Sequence, residues 1–288
     1  MKQKNYKYWL FVLPVFIPFS LCVLIPAAMG IYYSFTDWNG ISQEIRFAGL
    51  ENYKILFLGD KNFTHSFLFT LLFALCGVIL VNVIGFLLAL LVTQKFKGST
   101  LFRAVFFMPN LIGGLLLGFT WQFIFINVFD MLGKTFHMNW LQGWLSNQST
   151  GFAGMLIVFV WQLSGYMMII YIAGLQSIPD SLIEASYLDG AGAWARLKNI
   201  ILPLVAPSFT IGLFMTMSNA FKLFDTNLSL TGGNPYKSTE MIALNIYTTA
   251  FTENKLGLSQ AKAVIYLIVV AVIALVQLSV NKKKEVEM

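Results

Sequence analysis

Six stretches of this chain are apolar for about as long as a bilayer is thick. A helix rises about 1.5 Å per residue, so roughly 20 residues cross a hydrocarbon core of about 30 Å. The runs cover approximately residues 9–33, 67–92, 104–125, 152–175, 204–224 and 263–280. In lipid every backbone N–H and C=O needs an internal partner, and apolar runs of this length meet that demand as helices. The expected fold is an all-α polytopic membrane protein of six spans, a single transmembrane domain over residues 1–288. Only 11% of residues are charged, against about 25% in a soluble domain, and mean hydropathy is +0.71. The first run outlasts a signal peptide's apolar core and shows no small-residue cleavage site, so it reads as a retained span. Pro14, Pro18 and Pro26 predict kinks in it, and Met108-Pro109-Asn110 predicts one in the third run. Cys22 and Cys76 lie inside apolar runs, which argues for small buried hydrophobes rather than a disulfide.

The net charge of +6 comes without a basic patch interleaved with aromatics, so a nucleic-acid partner is not indicated. It fits topology instead. Lys2, Lys4 and Lys7 precede the first run; Lys95, Lys97 and Arg103 fill the short second connection. Arg196 and Lys198 lie between the fourth and fifth runs, and Lys282, Lys283 and Lys284 close the chain. An even number of spans puts all four segments on one side, expected to be cytoplasmic together with both termini, in a multi-pass cell-membrane protein. The opposite side carries the longer connections. One of these, residues 50–57, predicts a short helix on the membrane with Tyr53 and Phe57 as anchors.

The segment between the fourth and fifth runs, residues 177–207, is polar enough to meet water at both margins. Pro179 suits a first helical turn, and Asp180 and Glu184 suit the positive end of the helix dipole. Ala185 leaves room for a close neighbour, and Ile183 and Tyr187 share a side. Gly190 and Gly192 permit a left-handed or tight ending. A second short helix is expected over about residues 193–201, before Pro203 and Pro207.

Glu184-Ala185-x3-Asp189-Gly190-Ala191, followed by Ile201-Leu202-Pro203, resembles the cytoplasmic loop of binding-protein-dependent ABC importer permeases. Ser186 stands where that family usually has Ala. The runs FAGLENY, beginning at Phe47, and LTGGNP, ending at Pro235, are also similar to family stretches, with Asn234 in place of a Gly. The resemblance is closest to the maltose and multiple-sugar group. It implies a type I ABC importer permease fold, a carbohydrate cargo of oligosaccharide type, and a coupling helix that docks in a cleft of the ATPase. The coupling loop covers residues 177–203, and its coupling residues are Glu184, Ala185, Ser186, Asp189, Gly190 and Ala191. It further implies a second homologous permease, two ATPase subunits holding ATP and Mg, an extracellular solute-binding protein, and no cofactor on this chain. The extra N-terminal helices and large external insertion of the bigger maltose-type relatives are missing here.

Catalytic constellations are missing too. There is no GxxxxGK[ST] sequence to cradle nucleotide phosphates, so ATP hydrolysis belongs to a partner and the chain is not itself an enzyme. His65 and His137 fall on the outer side, which leaves no metal cluster. Ser164 and Ser218 have no histidine at matching depth for intramembrane proteolysis. A secondary sugar carrier is the alternative; such carriers often show internal repeats, and none is detected.

Polar residues within spans are costly and therefore mark candidate sites. The fifth run is richest: Thr216, Ser218, Asn219, Lys222 and Asp225 follow over about three turns, flanked by Phe221 and Phe224. Helical spacing places Asn219 with Lys222, and Lys222 with Asp225, on shared faces. Hydroxyl partners beside ring faces suit a sugar, and Phe221-Lys222-Leu223-Phe224-Asp225 resembles a family stretch in the external half of the path. The same charges also fit a snorkelling ion pair that fixes topology. Asn110, Gln122, Gln162 and Ser164 either join the candidate pathway or serve as interhelical hydrogen bonds; Asn82 reads as the latter.

Overall fold

The structure, a computed structural model, describes residues 6–94 and 97–282. Lys2, Lys4, Lys95, Lys283 and Lys284 of the expected inner-side segments lie outside the described residues. The helices are α1 (Tyr6–Phe19), α2 (Ile25–Tyr33), α3 (Glu51–Leu58), α4 (Lys61–Thr93), α5 (Ser99–Phe107), α6 (Gly114–Phe123), α7 (Phe129–Thr135) and α8 (Gln148–Gln176). They continue with α9 (Asp180–Leu188), α10 (Ala193–Arg196), α11 (Leu202–Leu204), α12 (Ala206–Phe221), α13 (Asp225–Leu230), α14 (Ile242–Tyr247) and α15 (Leu256–Lys282). Among the described residues, strand geometry is confined to one isolated bridge, Thr36 with Phe47.

Among the described residues, five helices are long and apolar enough to cross a membrane: Val12–Tyr33, Lys61–Thr93, Gly114–Thr135, Gln148–Gln176 and Leu256–Gln277. Ala193–Leu204 and Ala206–Phe221, bent by 68°, make a sixth if taken together. Two spans differ from the sequence expectation. The third, expected over 104–125, is broken rather than kinked: α5 stops at Phe107, and a 3₁₀ turn fills Met108–Leu111. Pro109 has no N–H to give and Ile112 is extended. The membrane-length helix restarts at Gly114 and runs through a π-turn to Thr135. The fifth, expected to reach 224, ends at Phe221 with Lys222 as its cap.

The chain divides into two compact units, one of residues up to 63 with 245–268, the other of 64–244 with 269–288. In the first, Pro18 is followed by a π-turn, Ser20–Leu24, that joins α1 to α2 without ending the helix. The Val12–Tyr33 span buries none of its apolar window inside the chain. Cys22, expected to be buried, is therefore exposed on it. Helix α3 forms as expected, but its two aromatics differ. Tyr53 is tied to the Ser34 hydroxyl at 2.8 Å, while Phe57 is exposed. Asn52 Nδ2 donates to the Ser34 and Thr36 carbonyls at 2.9 and 2.7 Å, clamping the end of the first span to α3.

This unit also holds a buried ion pair. Lys262, 3% exposed, puts Nζ 2.8 Å from Asp60 Oδ2. It also donates to Asn245 Oδ1 at 2.9 Å and Thr249 Oγ1 at 2.8 Å. Burial pushes the Asp60 carboxyl up, but its bond and attraction to Lys262 and the Phe63 and Asn62 N–H groups outweigh that and hold it below the usual range. A depressed carboxyl stabilises the fold above its unfolded value, about pH 3.9, and loses that contribution as pH falls through its folded value. Asp60→Asn is therefore expected to lower the unfolding temperature at pH 6–7, since removing one partner of a buried pair costs about 3–5 kcal/mol. The difference from the native chain should shrink below about pH 4. Thermal unfolding in detergent across pH checks both; equal melting of the two proteins at neutral pH would contradict the assignment.

In the second unit α4 and α8 run parallel. A Cβ on Gly77 would meet Phe159, and one on Gly85 would meet Met167. Across their interface Asn82 receives the Tyr171 hydroxyl and donates to Thr216 Oγ1 at 3.2 Å, so it joins α4, α8 and α12 as an interhelical link. Helices α6 and α13 are pressed together: a Cβ on Gly114 would lie 2.8 Å from Asp225 Cβ, and one on Gly118 would strike the Ser229 hydroxyl. Gly113 has open space beside it and forms the extended joint before α6.

Candidate functional site

Two sites emerge in the second unit, one a loop and one a cavity. The loop is α9, its cap and α10. Pro179 is the N-cap rather than a first-turn residue, with Asp180 opening the helix. Gly190 has φ +72°, and the Ala191 N–H reaches the Ser186 carbonyl at 2.9 Å while the Gly190 N–H reaches that of Tyr187 at 3.1 Å. This pair of bonds is the Schellman ending, which requires a left-handed residue where Gly190 stands. Arg196 braces it, donating to the Ala191 carbonyl at 2.8 Å with its guanidinium 3.9 Å from the Tyr187 ring centre. Ser186 is buried and donates to the Ile183 carbonyl, so its hydroxyl is accommodated inside the chain.

The rest of the loop faces outward. Glu184, Ala185, Asp189 and Gly190 are exposed, and Ala191 half-buried. The Glu184 and Asp189 side chains have no hydrogen-bond or ion-pair partner among the described residues. Leu188 is 89% and Trp194 73% exposed, beside exposed Tyr187. A rigid, apolar, acid-edged knob on a short loop between two long helices is suited to docking. Trp194 and Leu188 were not singled out from sequence; their apolar character on either side of the Gly190 cap was the available signal.

The cavity, about 370 Å³, lies where α12 ends and α13 begins. Asn110, Gln162, Asn219, Lys222, Phe224 and Asp225 all line it, drawn from the α5–α6 break, α8 and the α12–α13 break. Phe221, expected with them, is not in the lining; it is 2% exposed and packs in the core. The shared faces inferred for Asn219, Lys222 and Asp225 also do not hold, because no single helix runs through them. The two helix breaks bring them together instead. Lys222 and Asp225 form no ion pair with each other, and neither side chain has a partner among the described residues. Both are exposed to the cavity. Gln162 Nε2 is fixed on the Ile112 carbonyl at 3.0 Å, a bond between segments made by a residue that also lines the cavity. Gln122 Nε2 bonds the Leu230 carbonyl at 2.9 Å, joining α6 to the end of α13.

Behind the cavity, the LTGGNP segment is folded around Asn227, which sequence reading passed over. Its amide donates to the Thr239 carbonyl at 2.8 Å and Thr231 Oγ1 at 3.0 Å and accepts the Met241 N–H at 3.0 Å. Fully buried, it adds side-chain ties to a loop whose own backbone bonds include Asn234 N–H to the Thr231 carbonyl at 3.0 Å and Thr239 N–H to the Gly233 carbonyl at 3.2 Å. No group of three or more His, Cys, Asp or Glu capable of holding a metal occurs among the described residues.

The family model of the binding-protein-dependent transport system inner membrane component matches residues 81–286, which include the loop and the whole cavity. The chain belongs to this family. The permease is 51% identical to the probable starch degradation products transport system permease protein AmyD of Thermoanaerobacterium thermosulfurigenes, over 98% of this chain and 96% of the relative. It is 32% identical to the multiple sugar-binding transport system permease protein MsmF of Streptococcus mutans, over 97% of each chain. In fold it matches a solved bacterial ABC transporter chain involved in import of the acidic polysaccharide alginate, at TM-score 0.83 over 97% of this chain and 96% of that one, with 19% identity. The permease thus has the type I ABC importer fold that its loop motif suggested.

Proposed function

We propose that this permease forms half of the translocation path of an ATP-driven oligosaccharide importer. The α9–α10 loop carries the reading: a braced helix end, capped by Gly190, offers uncommitted Glu184 and exposed Leu188 and Trp194 to a soluble partner. That partner is one of two ATPase subunits, which hold ATP and Mg. The loop lies in the cytoplasm with both termini, as the lysine and arginine bias favours. A second homologous permease completes the path, and an extracellular solute-binding protein delivers the sugar. ATP binding closes the ATPases, the loop moves with them, and the spans switch access; different contacts in the two states supply the coupling.

The sugar assignment rests on the names of the relatives and on the cavity's chemistry. Three amides, an ammonium and a carboxylate offer donors and acceptors to hydroxyls, and Phe159 and Phe224 add aromatic rings to the wall. Its volume of about 370 Å³ is in the range of ordinary ligand sites.

Affinity purification of the tagged chain from its native membrane is expected to bring an ATPase with it. Uptake of malto-oligosaccharides into vesicles holding the assembly should stop without internal ATP. Uptake that continues on an ion gradient alone would favour a secondary carrier instead.

A further inference from the structure

A second cavity, about 800 Å³, opens between α4, α5 and α8. Leu80, Ile84 and Leu88 form one stripe along α4 at spacings of four, a length of about 12 Å at 1.5 Å per residue. Facing them are Phe106, Pro109 and Trp161. The one polar side chain in the wall is Ser164, buried with its hydroxyl unpartnered among the described residues. One serine hydroxyl in an otherwise apolar wall is too little to hold a sugar, so the occupant is apolar. Charge says what else it carries. Arg103 stands one turn before Phe106 on the same side of α5. Its Nε is buried without a hydrogen-bond partner, and no carboxylate pairs with it among the described residues. Arg103 is outside the groove wall, three residues before the lining Phe106, and a guanidinium with an unpartnered Nε beside such an apolar groove matches a phosphate joined to a hydrocarbon tail.

We propose that this groove binds an anionic phospholipid, its tail along α4 and its phosphate on Arg103. Because α4 and α8 run parallel, the end of α4, the start of α5 and Arg103 lie at the α9 end of the permease. With the orientation proposed above, the lipid comes from the cytoplasmic leaflet. A tail along Ile84 leaves the Ser164 hydroxyl free to turn to its own i−4 carbonyl, the bond Thr93 makes to Ala89.

The site borders the sugar cavity. Pro109 and Ile112 face the groove while Asn110 faces the cavity, and Trp161 and Ser164 face the groove while Gln162 and Leu163 face the cavity. The wall between them is one residue thick, and Gln162 is bonded across it to the Ile112 carbonyl. A seated tail therefore sets where Asn110 and Gln162 stand.

The test uses the whole assembly in nanodiscs of phosphatidylcholine with a minor fraction of phosphatidylglycerol. Native mass spectrometry reads the lipid each protein retains. The unaltered assembly should retain phosphatidylglycerol preferentially, and Arg103→Gln should lose that preference by about fivefold, the effect of one basic residue near an anionic lipid. Arg103→Lys should keep much of it. Ile157→Trp, which fills the groove from an exposed position, should lower retained lipid of both kinds. Phosphatidylglycerol should raise binding-protein-stimulated ATPase activity in the unaltered assembly and not in Arg103→Gln. No preference in the unaltered assembly, or an unchanged one in Arg103→Gln, overturns the proposal. So does a disulfide from Ile157→Cys to the second permease, which would put a protein helix in the groove. Transport that fails to need ATP in every lipid would count against the importer reading and leave the retained-lipid measurement unaffected.

Discussion

Gly190→Val is expected to abolish both sugar uptake and binding-protein-stimulated ATPase activity while the chain reaches the membrane in normal amount. The cause is local backbone geometry. Gly190 sits at φ +72°, where an ordinary L-residue is strained by about 1–2 kcal/mol and a β-branched one by more. No wall limits a side chain there: a Cβ meets nothing within 4 Å. The strain is relieved only by undoing the helix ending, which releases the Ala191 bond to Ser186 and moves the Arg196 brace off Tyr187. The spans are untouched, so insertion and stability should hold; what is lost is the shape offered to the ATPase. Gly190→Ala should retain part of the activity. Gly192 has ordinary extended dihedrals and open space, so any loss in Gly192→Ala would report contact with the partner alone. Full uptake by Gly190→Val, measured in vesicles beside a blot for the chain, would remove the loop from the mechanism.

The spans were legible because a bilayer imposes a length that composition alone reveals. Their ends were not. Helix α8 begins at Gln148 because Asn147 accepts the Thr150 N–H at 3.0 Å, and α15 reaches back to Leu256 because Lys262 is paired inside the fold. Neither device leaves a mark in hydropathy, and a lysine at the edge of an apolar run looks like a boundary. Met108-Pro109-Asn110 signalled an interruption, but sequence does not tell a kink from a stop. The stop came from Pro109, which has no N–H to give, and the extended Ile112, and the helix restarts where Gly114 is pressed on Asp225. The loop at Gly190 was legible because backbone chemistry drives it: a left-handed ending needs glycine.

The cavity was legible in its members and not in its geometry. Intramembrane cost singled out Asn110, Gln162, Asn219, Lys222 and Asp225 as pathway candidates, and the structure places them around one space. Helical periodicity then misplaced Phe221, because the helix it was extrapolated along ends there. Asn227 escaped notice because a buried amide that ties a loop together has no local signature.

Those unpaired charges lead to the second large effect. Asp225→Ala and Lys222→Ala should each slow uptake about 10- to 150-fold, since a hydrogen bond to a charged group contributes about 1.5–3 kcal/mol. Stimulated ATPase activity should persist in both, because the α9–α10 loop is intact; that separates them from Gly190→Val. Neither change breaks an existing ion pair, so protein levels should stay near normal. Asn219 already spends its amide on the Met215 carbonyl at 2.8 Å, and Asn219→Ala should cost less. The double substitution discriminates further. If one hydroxyl bridges ammonium and carboxylate, losing both should cost little more than losing either; if they hold separate hydroxyls, the losses should multiply. Phe221→Ala provides the contrast: truncating a buried ring costs about 3–5 kcal/mol of stability. It should lower the amount of permease in the membrane and not the rate per molecule. Uptake at the normal rate in both charge variants would place the sugar elsewhere, and a fall in rate per molecule in Phe221→Ala alone would move the path to the other side of α12.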